Sequence, residues 1–348
     1  MRRRTLLAGI LATTAVIGLS GCGLDSGQAP AADGSVSTVT IYTSRPKGIT
    51  DGIVAKFEEA NPQYKVQLLS LGAQEVADRV RAESGRPQAD VWWGGTSQQF
   101  DQGAQAGVLQ PFPQETVDRV PERFRGTGDA WLGEQQLTQV IAYNHDMMSA
   151  ADAPKDWDDL IKPQYKDQIL IRDVAPSGTM HSIFDAMIWR TFQTTGTPDQ
   201  GYEWLRGLDA NTKDYPASPS DLYLRIQRQE APLTIWNLQD VMLQTKAGVP
   251  FTPVIPASGS PILVDGVGKV AGAPNSAGAD AFAAFLLSEQ TQQGLAENNF
   301  QFPTVALAQQ PKWLTDLQIT EMPVDWKAVG AHDAEWIGYW VQNIKNQG

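Results

Sequence analysis

The chain has 348 residues, 42% hydrophobic and 19% charged, which is too long for one compact core and suits two globular lobes. Its 39 acids outweigh 27 bases, giving a net charge of −12 and a pI near 4.7, a balance that argues against binding nucleic-acid phosphates. One cysteine and three histidines (His145, His181 and His332) exclude an internal disulfide, a Cys-rich metal cluster and an HExxH-type site.

Arg2, Arg3 and Arg4 precede an uncharged, mostly apolar run at residues 5–19. A bilayer-spanning helix needs about 20 such residues, so a basic cap with a short apolar run reads as an export signal. Leu19-Ser20-Gly21-Cys22 resembles the bacterial lipobox, which implies cleavage after residue 21 and lipidation of Cys22. Arg3-Arg4-Thr5-Leu6-Leu7 also resembles a twin-arginine signal. Residues 22–37 are rich in Gly, Ala, Ser and Asp and read as a flexible tether. The expected location is outside the cytoplasmic membrane, held to its outer face by lipid.

Residues 39–42 form a β-branched run and predict a strand. Ile49, Ile53, Val54 and Phe57 recur at helical spacing, and Asn61-Pro62 ends that helix. Residues 66–69 predict a second strand, Val76 and Val80 a second helix, residues 89–93 a third strand, and Thr96 onward a third helix. This alternation predicts an α/β fold with a parallel sheet covered by helices on both faces. Residues 137–143 read as a strand crossing between lobes. Beyond it come a strand at 169–172, helices at 178–190, 198–208 and 220–229, a strand at 232–236 and a helix at 237–246. Residues 262–264 and 267–270 read as two β segments broken by an Asp265-Gly266 turn. An apolar helix at 276–287 follows, then late tryptophans at 313, 326, 336 and 340 that suggest terminal helices packed back on a lobe.

Several enzyme motifs fail on inspection. Ser44-Arg45-Pro46-Lys47 matches SxxK but lacks its partner motifs. Gly266-Val267-Gly268-Lys269 lacks the leading glycine and the Ser/Thr of a P-loop. Asp156, Asp158 and Asp159 sit at a predicted helix start, where acids favour the dipole. Three other segments share one design, a strand end running into a helix start through small polar residues: Thr43-Ser44, Gly94-Gly95-Thr96 and Ser177-Gly178-Thr179. Free N–H groups and hydroxyls there either cap their own helices or cradle an anion between two lobes.

Val39 to Ser44, Ala89-Asp90-Val91-Trp92-Trp93-Gly94-Gly95 and Trp157-Asp158-Asp159-Leu160 resemble segments of the extracellular solute-binding proteins of ABC importers. So do Ser177-Gly178-Thr179, Asp265-Gly266-Val267, Gly272-Ala273-Pro274-Asn275 and Phe302-Pro303-Thr304. The branch is the one holding ferric-iron binders and binders of sugar phosphates and phosphonates. The resemblance implies the type 2 periplasmic-binding-protein fold. Two lobes of mixed, mainly parallel sheet flanked by helices would be joined by crossing strands. Lobe 1 would span 38–138 with a return segment at 262–310. Lobe 2 would span 139–261 with terminal helices at 311–348. It also implies a monomer that closes on a small-molecule solute for an ABC permease and its ATPase, with no catalysis, no cofactor and no nucleic acid.

The places where iron-binding members carry their His, Glu and paired Tyr fall near Pro46, Gly95 and Leu238-Gln239, so direct ferric ligation is not expected. The expected solute is an organic anion, a sugar phosphate or another phosphate or phosphonate ester. A ferric complex is the alternative within the class, and a surface-anchored hydrolase the alternative outside it. The candidate ligand residues are Thr43, Ser44, Arg45, Trp93, Gly94, Gly95, Thr96, Ser177, Gly178, Thr179, His181, Trp236, Asn237 and Asp240. Either Trp92 or Trp93 packs in the core, since strand alternation sends one each way.

Overall fold

The computed structural model describes residues 36–347. The residues read as an export signal, Cys22 and nearly all of those read as a tether lie outside the described residues. Eleven strands are described: β1 Ser37–Thr43, β2 Tyr64–Ser70, β3 Val91–Thr96, β4 Leu109–Gln110, β5 Leu132–Asn144, β6 Ile169–Leu170, β7 Thr212–Asp214, β8 Leu233–Asn237, β9 Phe251–Val254, β10 Ile262–Val270 and β11 Phe302–Pro303. They order as β2-β1-β3-β10-β5-β8-β6-β7, with β4 on β10 and with β9 and β11 on β5.

The strands carrying helical crossovers are parallel: β1 with β2 and β3, and β6 with β7 and β8. The strands that pass between the two ends of the sheet are antiparallel to their neighbours. β5 is the principal crossing. Residues 132–138 of β5 pair with β10, and residues 139–143 pair with β8. Its 13 residues therefore belong to both halves.

Alternation sends Trp92 and Trp93 to opposite faces of β3, but helices cover both faces. Both are therefore fully buried in cores and neither is left for the cleft, contrary to the expectation that only one packs inside. Trp92 stacks on Phe100 at 4.2 Å, and Trp93 meets Phe282 edge-on at 5.4 Å. The other half has its own core, in which Trp157, Phe184, Trp236 and Trp340 are buried together. Tryptophans late in the chain close it: Trp340 packs edge-on against Phe184 at 5.2 Å. The segment after residue 311 is not confined to one half, because Trp313 packs on Phe302 while Gly330 abuts Gln98.

Two expectations are corrected. Asp265-Gly266 is not a turn: β10 runs through it with a register shift against both β3 and β5. Pairing on both edges holds the strand extended, and a β-carbon on Gly266 would stand 2.9 Å from Phe100. The sequence reading also lacks the helix Glu289–Asn299, a polar stretch capped at its start by Ser288. Asp156 does cap the turn Trp157–Asp159, as its position predicts.

Candidate functional site

A cleft of about 920 Å³ opens where the two halves of the sheet meet. Six helices start at its wall: Lys47–Ala60, Ala73–Ala82, Ser97–Gln105, Gly178–Thr195, Pro219–Gln227 and Leu238–Lys246. Three come from each end of the sheet. Each helix start carries unpaired N–H groups and the positive end of the helix dipole, so their convergence favours negative charge.

The walls touch across the cleft. A β-carbon on Gly178 would lie 3.2 Å from Thr96 and 3.4 Å from Ala73. Gly72 faces the Pro176 carbonyl oxygen in the same way. Gly94 and Gly95 have φ of +90° and +142°, which L side chains rarely adopt. That backbone lets Ser44 and Arg45 approach, since a β-carbon on Gly94 would be 2.8 Å from the Ser44 hydroxyl.

Ten of the fourteen candidates line the cleft: Ser44, Arg45, Gly95, Thr96, Ser177, Gly178, Thr179, Trp236, Asn237 and Asp240. Four do not. Thr43 is buried beneath it and accepts the Arg45 backbone N–H at 3.0 Å. Trp93 is core, and Gly94 carries the Trp92 indole on its carbonyl at 2.8 Å. His181 points instead to the C-terminal helix. Its Nδ1 lies 2.8 Å from Asp333 and its Nε2 3.2 Å from the Ala175 carbonyl oxygen.

The hydroxyls divide by use. Thr96 and Ser177 accept N–H groups of their own helices, as do Ser218 and Asn237. The Ser44 and Thr179 hydroxyls have no hydrogen-bond partner among the described residues.

Arg45 is buried rather than solvated. It donates to Asp265 at 3.4 Å and to Gln135, Gln239 and Gln301 at 3.0–3.2 Å, and its Nε lies 3.5 Å from Glu134. Its charge is thus committed within the protein. Burial pushes the Glu134 carboxyl up; Arg45 counters this and the Asp265 charge adds to it. Trp93 and Gln301 also lower the Glu134 pKa, yet neither carboxylate oxygen has a partner of normal hydrogen-bond geometry. Burial likewise raises Asp265, against the pull of Arg45 and the N–H groups of Gly95 and Gly266. Lys47 is exposed and pairs with Asp51.

Sequence reasoning missed three cleft residues of consequence. Tyr223 donates to Asp240 at 3.1 Å, and the same Asp240 oxygen accepts from Trp236 and Asn237 at 3.0 Å. Burial and the Asp240 carboxylate push the Tyr223 phenol well up. Gln239 supplies a cross-cleft contact to Arg45. Arg172, read only as a strand end, is a buried cation on the cleft wall. Its single positive charge on a short Ile169–Asp173 stretch was the available signal. Among the described residues, no group of three or more His, Cys, Asp and Glu could hold a metal ion, and no helix is long and apolar enough to cross a membrane.

Residues 89–326 match the family described as bacterial extracellular solute-binding protein. Iron uptake protein A1 of Synechocystis is 28% identical over 88% of each chain. A putative 2-aminoethylphosphonate-binding periplasmic protein of Salmonella typhimurium is 25% identical over 77% of this chain and 79% of its own. The periplasmic binding protein AfuA from Actinobacillus pleuropneumoniae, solved with fructose-6-phosphate bound, superposes with a TM-score of 0.78 at 25% identity, covering 90% of this chain and all of that one. The relatives are named for binding and uptake, and the α/β architecture is theirs. The chain belongs to the bacterial extracellular solute-binding proteins, the solute-capturing components of ABC importers.

Proposed function

We propose that this protein captures a small organic anion, a phosphate monoester or phosphonate, and presents it to an ABC permease. The observation that carries this reading is the convergence of six helix starts on one cleft, with the unengaged hydroxyls of Ser44 and Thr179 among them. N–H groups and hydroxyls fixed in place can hold an anion on a protein of strongly negative net charge. Asp240, with Tyr223 and Trp236 around it, suits a hydroxyl or amine at the other end of the solute. The two halves of the sheet act as lobes, and hinge closure over the solute creates the form that the permease reads. Export, cleavage before Cys22 and lipid anchoring complete the proposal, with the mature protein acting as a monomer outside the membrane.

The relatives that bind phosphonate and fructose-6-phosphate support the anion. The iron-uptake relative keeps a ferric complex as the second reading. Burial and Asp240 raise the Tyr223 pKa, which disfavours direct phenolate ligation of ferric iron and confines the second reading to a ferric chelate.

A thermal-shift panel tests the proposal. It should hold fructose 6-phosphate, 2-aminoethylphosphonate, uncharged sugars, polyamines and ferric citrate. A captured solute raises Tm by mass action. Stabilisation by the phosphoryl compounds is the expected result. Stabilisation by uncharged sugars or polyamines alone refutes the anion reading, and by ferric citrate alone moves it to the second.

A further inference from the structure

Three cations line the cleft, and two already have carboxylate partners. Arg45 faces Asp265 and Glu134, and Lys47 pairs with Asp51. Arg172 is different. It is 7% exposed, and among the described residues it has no ion pair. Its one hydrogen bond runs from Nη1 to the Asp173 carbonyl oxygen at 3.1 Å, and its Nε is buried without any partner. Burial lowers its pKa, with Asp173 and Glu75 opposing. Glu75 lies on the facing wall, but one of its carboxylate oxygens accepts the Gly72 N–H at 2.7 Å.

A guanidinium keeps its charge at any physiological pH, so a buried one without a counterion is held at a cost. Such a group is matched when an anion enters. The anion would find more than Arg172 there. The chain from Arg172 leads through Pro176 to Gly178, and these two residues abut Gly72, Ala73 and Thr96. Three helix starts therefore meet on the same cleft that Arg172 lines. A phosphoryl group has three terminal oxygens. The two Nη groups can take two of them in the forked geometry that arginine favours, leaving the third for the N–H groups of the helix starts.

We propose that Arg172 sets the charge of the solute, making the cleft select a doubly charged phosphoryl group over a singly charged group of the same shape. This rests on the anion reading above and deepens it.

The test uses a matched pair titrated calorimetrically at pH 8: 2-aminoethylphosphonate, doubly charged at its phosphonate, against 2-aminoethanesulfonate, singly charged at its sulfonate. Fructose 6-phosphate is a second phosphoryl probe. The wild type should prefer the phosphoryl member. Arg172→Gln should weaken phosphoryl binding by about 10- to 100-fold, the range for a charge-assisted hydrogen bond, and bring the pair toward equal affinity. Arg172→Lys should keep part of the preference. Without ligand, Arg172→Gln should melt no lower than the wild type, because it removes an uncompensated charge. A markedly lower Tm would give Arg172 a structural role and overturn the proposal. Unchanged affinity and preference in Arg172→Gln would overturn it while leaving the anion reading intact. A wild type that binds none of the phosphoryl probes would remove both.

Discussion

Gly72 and Pro176 meet across the cleft so closely that a β-carbon on Gly72 would stand 2.9 Å from the Pro176 carbonyl oxygen. The obstacle is backbone, held by the helix Ala73–Ala82 on one side and the approach to Gly178–Thr195 on the other. Gly72 has a φ of −66°, so alanine suits its own backbone. Gly72→Ala should therefore act as a wedge. Overpacking costs about 1–3 kcal/mol, and a cost of that size is roughly 5- to 150-fold in Kd. Small-angle scattering with saturating solute should show a larger radius of gyration than the wild type. Equal affinity and equal size would show that the walls do not need this approach.

Arg45 and Lys47, two residues apart, should behave oppositely. Arg45→Met strips the counter-charge from buried Glu134 and Asp265, and removing one member of a buried pair costs about 3–5 kcal/mol. Lys47→Ala loses an exposed pair with Asp51, worth at most about 1 kcal/mol. Urea denaturation of both variants measures this. A small loss for Arg45→Met would mean that Glu134 and Asp265 are readily neutralised without it.

Ser44→Ala and Thr179→Val should weaken anion binding with little change in unliganded Tm, each by roughly 2- to 10-fold for one hydrogen bond. Ser177→Ala should also lower Tm, because its hydroxyl caps the helix Gly178–Thr195, a contact worth about 1 kcal/mol. Full affinity in both Ser44→Ala and Thr179→Val would exclude their hydroxyls from the site.

Asp185 is fully buried, and neither carboxylate oxygen has a partner of normal hydrogen-bond geometry. Burial, with the charge and hydrogen bonding of Asp333, pushes its carboxyl well up. For Asp333 the pull of His181 and Asp185 outweighs burial and holds it down. A raised folded pKa means that the penalty is absent below the unfolded value and grows as pH rises toward the folded one. Asp185→Asn should thus stabilise the protein at neutral pH, on the order of 1 kcal/mol. The gain should vanish below the ordinary aspartate range. Thermal melts from pH 3.5 to 8 give the answer, and a gain that is independent of pH would assign the effect to packing.

The legible part of this molecule was its local part. Alternation placed Trp92 and Trp93 on opposite faces, and Asp156 announced its own cap. The small polar residues at strand ends pointed to the cleft because helix starts expose N–H groups wherever they occur. What stayed hidden depended on partners far along the chain. Arg45 sits in a polar tetrapeptide and looks solvated; it is buried because Gln239 and Gln301 arrive from 194 and 256 residues away. His181 follows the Ser177 turn but answers to Asp333, 152 residues on. Asp265-Gly266 has the composition of a hairpin turn, and only pairing on both edges keeps it in a strand. Whether a hydroxyl caps a helix or stays free for a ligand turns on rotamers that composition does not encode.

The reach of the Arg45 network bears on the order in which the protein is made. A chain emerging from its amino terminus can pair β1, β2 and β3 early, for these are near neighbours in sequence. Arg45 must then wait for Glu134, for Gln239, for Asp265 and last for Gln301. Arg45 lacks one of its two carboxylate neighbours until residue 265 has appeared, and its last amide acceptor until residue 301 has. The Arg45 network is therefore completed only after most of the chain has been made, however early the first strands pair.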